Sequence, residues 1–443
     1  MNGGSEEIGP GEYIEGDWGG PGGYGGPGGY GGYGGYGGGF EPWMDEGYGY
    51  DGGGYGYPGC GQGCFFPLLG WGPDRWWVRG EYLLYWTRGA DAPPLVTTSP
   101  DGTPIADAGT LDALGTDILF GGSQIDDGAR SGGRIRLGRW IGPGCRIGLE
   151  GEYFNIGNES THYADSSPGS PILARPFFDV FDGEFDRQLV SYPGAVSGSI
   201  AVDTESQLQG AGFRVIWKMC CMDLSCGDAC CGSLRRSRRF DLITGYRYMK
   251  LEESVRISED VTVIDAVQLG IPVANGTRLQ VEDYFQVENE FNGFDLGFSA
   301  NFCRQRWSLD VLTKVAIGQT TQRVTVDGST LVTTPGFNPS ILNAGLLALP
   351  SNIGTISRDE FSVIPEIGIT LGYKILPRLK ATVGYSFMYW TDVLRAAEVI
   401  DTSLNSSQFP LAGPLDGEVR PVVQLDTANI WIQGMNLGLE LVW

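Results

Sequence analysis

FSVIPEIGITLGYKI (361–375) alternates residue by residue along its length. Phe361, Val363, Ile367, Ile369, Leu371, Tyr373 and Ile375 fall on one side, and Ser362, Glu366, Thr370 and Lys374 on the other. A period of two is the signature of a β-strand, whose successive side chains point to opposite faces. Both faces are distinctive here, one greasy and one carrying charge. Pro365 has no N–H to give to a ladder, so a bulge or an interruption is expected there.

The same pattern recurs from Asp74 onward, giving about ten strands between Gly/Pro/Asn/Asp-rich connections. Trp76–Thr87 sets Trp76, Val78, Tyr82, Leu84 and Trp86 against Arg79 and Glu81. Two strands, 134–141 and 146–156, flank the turn Gly142-Pro143-Gly144. Further strands carry Phe213, Val215 and Trp217; Phe240, Leu242, Tyr246 and Tyr248; then Phe294, Leu296 and Phe298. The remaining strands carry Trp307, Leu309, Val315 and Ile317; the quoted stretch; and Leu379, Val383, Tyr385, Phe387 and Tyr389. The chain closes on Trp431, Met435, Leu437, Leu439, Leu441 and Trp443.

Connections alternate between long (89–132, 158–200, 258–279, 327–358, 397–424) and short or medium (142–145, 220–238, 303–306, 376–378). Outer-membrane barrels show this asymmetry, with brief periplasmic turns and extended outer loops. Aromatics near strand ends (Trp76, Trp86, Trp217, Trp307, Tyr389, Trp431 and Trp443) are expected to form interfacial girdles. The opposite faces supply a lumen-facing set of near-balanced sign. Its cations are Arg79, Arg134, Arg136, Arg146, Arg214, Lys218, Arg247, Lys314, Lys374 and Lys380. Its carboxylates are Glu81, Glu150, Glu152, Asp241, Asp295, Asp310, Glu366 and Glu440. Unpaired charge inside a barrel is costly, so these are expected to pair into a network. At about ten strands the interior should be narrow or plugged.

The expected fold is therefore all-β: a closed antiparallel up-and-down transmembrane β-barrel of about 10–12 strands over residues 74–443. A secreted or surface-layer β-sandwich that binds or adheres is the alternative.

Composition agrees. The 443 residues include 72 Gly and 12% aromatics but only 19% charged residues, with a net charge of −23. Such an acidic chain lacks the basic footprint that phosphate backbones require, which excludes nucleic acid as a partner. Residues 1–73 hold the repeat GGPGGYGGPGGYGGYGGYGGGF (19–40), too poor in apolar side chains to offset chain entropy, and read as a disordered Gly/Tyr-rich segment, a plain spacer first and a contact to the cell wall as the alternative. No basic and apolar leader is visible at Met1, so an exported barrel implies a start upstream.

Chemistry is thinly supplied. Five of nine cysteines, Cys220, Cys221, Cys226, Cys230 and Cys231, crowd one turn. Oxidised pairing as a disulfide cluster is the simplest reading; a metal cluster competes, but the doublets fit no standard zinc or iron–sulfur spacing. The adjacent run Arg235-Arg236-Ser237-Arg238-Arg239 would bind anionic lipid or stand solvated. His162 is the sole histidine, so a hydrolase would have to run through a Ser–His162 pair. No catalytic motif, cofactor site or metal site is read, and an enzyme is not expected.

Taken together, RWWVRGEYLLYWTRG (75–89), ARPFFDVF (174–181), YPGAVSGSIAVD (192–203), GYRYMKLEES (245–254), NEFNGFDLGFSANFCRQRWSLDVLTKVAIG (289–318) and FSVIPEIGITLGYKILPRLKATVGYSFMYWTDVLRAAEVID (361–401) resemble a family of outer-membrane β-barrel porins known mainly from planctomycete bacteria. The resemblance spans roughly 74–443. It implies an outer-membrane barrel, structural or a narrow passive pore with acidic external loops. Its partners would be the bilayer and, through the C-terminal strand, the barrel-insertion machinery. It supplies no ligand or catalytic residue to carry over.

Overall fold

The computed structural model describes residues 76–142, 146–221, 236–408 and 416–443. The Gly/Tyr-rich segment, residues 143–145, 222–235 and 409–415, and with them Cys226, Cys230 and Cys231 of the expected cysteine cluster and the side chains of its Cys220 and Cys221, lie outside the described residues.

Ten strands make the wall: β1 (Trp76–Thr87), β2 (Ala129–Ile141), β3 (Ile147–Ser167), β4 (Val196–Cys221), β5 (Arg236–Val263), β6 (Arg278–Arg304), β7 (Trp307–Thr333), β8 (Gly354–Leu376), β9 (Leu379–Val393) and β10 (Ala428–Val442). Each pairs antiparallel with its neighbours in chain order, and β10 pairs with β1 from Trp77↔Val442 to Thr87↔Ile432. The sheet is thus a closed cylinder without edges. Closure overturns the β-sandwich alternative, which would need two open layers.

Local sequence explains the joints. At the short end β6 turns into β7 over Gln305 and Arg306, and β8 into β9 over Pro377 and Arg378. Gly142 ends β2 at φ +78°, a left-handed conformation that only glycine adopts without cost. Pro365 interrupts the ladder on one side only. Its pairing with Val315 of β7 is unbroken, whereas the ladder between β8 and β9 begins at the next residue, Glu366↔Met388.

The strands are far longer than a bilayer needs. About 9–11 tilted residues suffice to cross, yet β5 has 28 residues and β6 and β7 have 27 each. Their outward faces change character midway. On β5, Phe240, Leu242 and Tyr246 give way to Lys250, Glu252, Ser254, Arg256, Ser258 and Asp260. Inward, Asp241 and Arg247 give way to Met249, Leu251, Val255, Ile257, Val261 and Val263, all buried. The β5–β6 and β6–β7 registers run through this point without a shift, so the alternation keeps its period and exchanges its faces. The lower half is built for lipid outside. The upper half is built for water outside, with the apolar core within.

That upper core is filled by the outer loops. Val96–Ser99 and Asp117–Phe120 from the first loop join Ile172–Asp179 and Glu184–Ser191 from the second and Ser403–Leu404 from the last in a five-stranded sheet. Leu95, Val96, Leu173, Phe177, Leu346, Leu394 and Leu404 from the loops pack against Ile200, Val202, Val255, Ile257, Phe285, Val287, Val324 and Val326 of the wall.

Candidate functional site

The lumen below this plug is layered, and each layer follows from which residue type the alternation turns inward. The uppermost is apolar. Leu83, Tyr85, Phe154, Ile156, Leu208, Met249, Phe291, Ala316, Ile364, Trp390, Ile430 and Ile432 form one buried cluster drawn from every wall strand except β2. Trp390 of β9 crosses two intervening strands to set its ring 6.2 Å from that of Phe291 on β6, and its Nε1 donates to Thr320 Oγ1 at 3.2 Å. These contacts put side chains across the middle of the cylinder.

An ionic layer lies beneath. Arg247 Nη2 on β5 reaches Glu366 Oε2 on β8 at 2.7 Å and Asp295 at 3.2 Å, and Lys314 Nζ stands 3.0 Å and 3.3 Å from the same two carboxylates. Glu81 receives Arg79 at 2.9 Å and Asn436 Nδ2 at 2.8 Å, with Arg134 Nε at 3.4 Å. Arg136 and Arg214 both contact Glu152. All are buried or nearly so. A charge that cannot be hydrated must be paired, and the near balance of signs inside the wall permits it.

Toward the short-turn end the lumen opens into a cavity of about 210 Å³. Lys218 Nζ stands 4.0 Å from the ring of Trp140, Arg239 pairs with Asp241 at 2.8 Å, and Lys380 with Glu440 at 2.9 Å. Gly148 is small because the Trp140 ring lies across it, 2.9 Å from where a Cβ would stand.

The sequence-read charges thus mostly meet inside the barrel. The exception is Arg146, which sits one residue ahead of β3 and is exposed at the mouth. A strand-end residue has solvent within reach, and the parity of its position does not carry it inward. The seven aromatics face outward in two groups. Trp76, Trp217, Trp307 and Trp443 stand at the short-turn end, and Trp86, Tyr389 and Trp431 at the other, where Trp431 pairs with Tyr389. Ten residues separate Trp76 from Trp86. At roughly 3.3 Å per residue and a tilt of about 40°, that spans close to the apolar band of ~25 Å expected of such barrels.

Reading the charges alone missed the residues that hold the plug. Arg395, wholly buried, places Nε and Nη2 each 2.9 Å from the Glu253 carboxylate of β5, and its Nη1 donates to the carbonyls of Arg88 and Gly89. Arg175 bridges Glu259 and Asp283, the latter at 2.7 Å. Asn289 exchanges two 2.8 Å hydrogen bonds with the Leu394 backbone. The inward side of Glu253 and Glu259 was legible in MKLEESVRISEDVTV (249–263), where Val and Ile alternate with Ser, Arg and Asp in the opposite phase; their partners on the loops were not.

These groups stand above the lipid band, where titration is informative. Burial raises the Glu253 carboxyl, but Arg395 outweighs it and holds it below the usual range. Glu259 stays raised by burial despite Arg175. Asp126, at φ +56°, accepts hydrogen bonds from Thr204 (2.8 Å) and Thr161 (3.0 Å) and is raised, mainly by burial. His162 points outward, its Nδ1 2.6 Å from Asp203 on β4, with both side chains exposed on the open wall. Among the described residues no group of His, Cys, Asp and Glu is arranged to hold a metal ion.

A closed cylinder of ten antiparallel strands, lipid-facing below and ion-paired within, defines a porin-like outer-membrane β-barrel. The family model named Putative beta barrel porin-7 matches residues 77–443. The chain belongs to that family. No curated protein matches it. Among solved structures it is similar to the outer membrane protease OmpT from Escherichia coli (8% identity, TM-score 0.39, covering 85% of this chain and 99% of that one). It is also similar to the toluene transporters TodX of P. putida (8%, 0.20, 84% and 90%) and TbuX of Ralstonia pickettii (9%, 0.16, 84% and 90%). Likeness at these values carries nothing about activity.

Proposed function

We propose that residues 74–443 form a single structural barrel of the outer membrane whose lumen is closed to passive flow at rest. One observation carries this reading: buried side chains of the apolar layer meet across the lumen, above all Trp390 and Phe291, and the loop sheet lies over them. A membrane anchor of this kind needs no chemistry, and no enzymatic role is assigned to it. The two aromatic groups serve as girdles that fix its depth in the bilayer, and the charged residues between them keep the lower lumen rigid. The aromatic-ended β10 presents the chain to the insertion machinery, and the Gly/Tyr-rich segment reaches toward the cell wall.

A narrow passive pore is the second reading. It is favoured by the charged lower lumen, which would line a conducting path once the loops moved. Planar-bilayer recording from refolded protein separates the two. The closed barrel gives no steady unitary steps in the wild type, and steps appear in Trp390→Ala. Ohmic steps of uniform size in the wild type would establish the pore instead.

A further inference from the structure

On its outer face, the short-turn end of the wall carries arginines that no neighbouring carboxylate neutralises. The pleat of β5 divides the basic run at its start. Arg239 turns inward onto Asp241 at 2.8 Å, whereas Arg238 turns outward and is exposed. Arg304, the last residue of β6, is likewise outward and exposed, while Cys303 beside it is buried. Phe302 stands opposite Arg238, and Arg304 opposite Arg236, so Arg238 and Arg304 are diagonal neighbours with backbones about 7–8 Å apart. Among the described residues neither makes an ion pair or a side-chain hydrogen bond. The outward positions of these two strands hold no carboxylate short of Glu290. Asp241 and Asp310 lie on the lumen side and are engaged there, by Arg239 and by Asn301.

The two arginines head an amphipathic groove of about 360 Å³ on the outer surface. Its floor is a single apolar row: Phe302 of β6 pairs with Leu309 of β7, and Leu309 with Leu371 of β8. Phe240 packs edge-on against Phe302 with ring centres 6.0 Å apart. Trp307, half exposed, stands opposite Arg304 with its ring 4.8 Å from that of Tyr373. Trp307 belongs to the aromatic group of this end, so the groove runs from headgroup level into the apolar band. A cation on the lipid face is tolerated at the interface and becomes costly toward the bilayer centre. Both arginines stand at strand ends, level with the phosphates of a bilayer.

We propose that this groove is a binding site for an anionic phospholipid of the periplasmic leaflet. Its phosphodiester lies between Arg238 and Arg304, and one acyl chain follows Phe302, Leu309 and Leu371. Guanidinium groups match phosphate geometry, since their planar N–H fork meets two oxygens at once. The apolar row selects a lipid over a free phosphate, which would leave that row uncovered. A second copy of the chain packed on this face by a two-fold axis would set the same arginines against each other. The inference rests on the barrel crossing a membrane, and not on whether it conducts.

The test is native mass spectrometry of the refolded full chain in non-ionic detergent, titrated with short-chain phosphatidylglycerol or with phosphatidylcholine of the same chain length. One phosphatidylglycerol per chain is expected to be retained at concentrations where phosphatidylcholine is not. An arginine near anionic headgroups is worth about a fivefold preference. Arg238→Gln and Arg304→Gln should each weaken retention of phosphatidylglycerol by about that factor. Arg278→Gln, on the upper wall and paired with Asp260, should leave it unchanged. Heat-modifiable migration checks that each variant is folded, and should one groove variant not fold, the other decides by the same criterion. Equal retention of the two lipids, wild-type retention in a folded groove variant, or displacement of the lipid by inorganic phosphate at matching concentration would overturn the proposal.

Discussion

Arg395, on the loop after β9, forms a two-pronged ion pair with Glu253 on the inner wall of β5, each arm 2.9 Å long. The loop leaves one side of the cylinder and is fastened to another. Ala396 N adds a third bond to the same carboxylate at 3.3 Å. Removing one partner of a buried pair strands the other charge, which costs about 3–5 kcal/mol. Glu253→Gln is therefore expected to lower the urea midpoint and to open residues 394–408 to limited proteolysis. An unchanged cleavage pattern would detach the loop from this pair.

The apolar layer gives a second expectation. Trp390 is wholly buried and fills the axis. Trp390→Ala should destabilise the barrel by about 3–5 kcal/mol, the usual cost of deleting a large core side chain. Unfolding measured by Trp fluorescence or by loss of heat-modifiable migration checks it. A change below about 1 kcal/mol would mean that the layer is not packed.

Protonation gives a third. Burial raises the Asp126 carboxyl above its unfolded value, so its protonated form is the one folding favours. The stabilisation it offers is present in acid and is lost as pH rises through the folded pKa. Asp126→Asn keeps an acceptor for Thr161 and Thr204 and should raise the urea midpoint at neutral pH, with the gain vanishing below about pH 4. Glu253, held low by Arg395, runs the other way: its contribution is present above the unfolded pKa and is lost as pH falls through the folded one. A gain in Asp126→Asn that persisted unchanged into acid would refute the assignment.

A fourth concerns assembly. Trp443 follows β10, and its backbone N–H and C=O close the cylinder on Trp76 at 3.0 and 2.9 Å. Trp443→Ala keeps those bonds and removes only the ring. Spontaneous refolding into detergent should be nearly unchanged, while yield in membranes supplied with insertion machinery should fall several-fold. Equal losses in both settings would assign the ring to stability alone.

Much of the wall was legible in the sequence because the lower barrel obeys one rule. β1 runs from Trp76 to Thr87, as the alternation of its side chains indicates, and β7 starts at Trp307 as expected. The upper wall was not legible as strand. Residues 196–200 and 258–263 read as loop because their outward positions are Ser197, Ser199, Ser258, Asp260 and Thr262, and a search for grease outside passes over them. Their inward Val and Ile are the same alternation with its faces exchanged. The plug is harder still: Arg175 and Arg395 find their partners 84 and 142 residues away, and no local pattern encodes such pairs.

The exchange of faces is best tested along β5 itself. Nitroxide labels at Leu242→Cys, Tyr246→Cys, Ser254→Cys and Ser258→Cys, with the native cysteines replaced by serine, report collision with oxygen and with a water-soluble nickel chelate in lipid bilayers. Positions 242 and 246 should collide with oxygen and be shielded from nickel, and positions 254 and 258 should show the reverse. A lipid-like profile reaching 258, or nickel access at 242, would contradict the two-storey barrel.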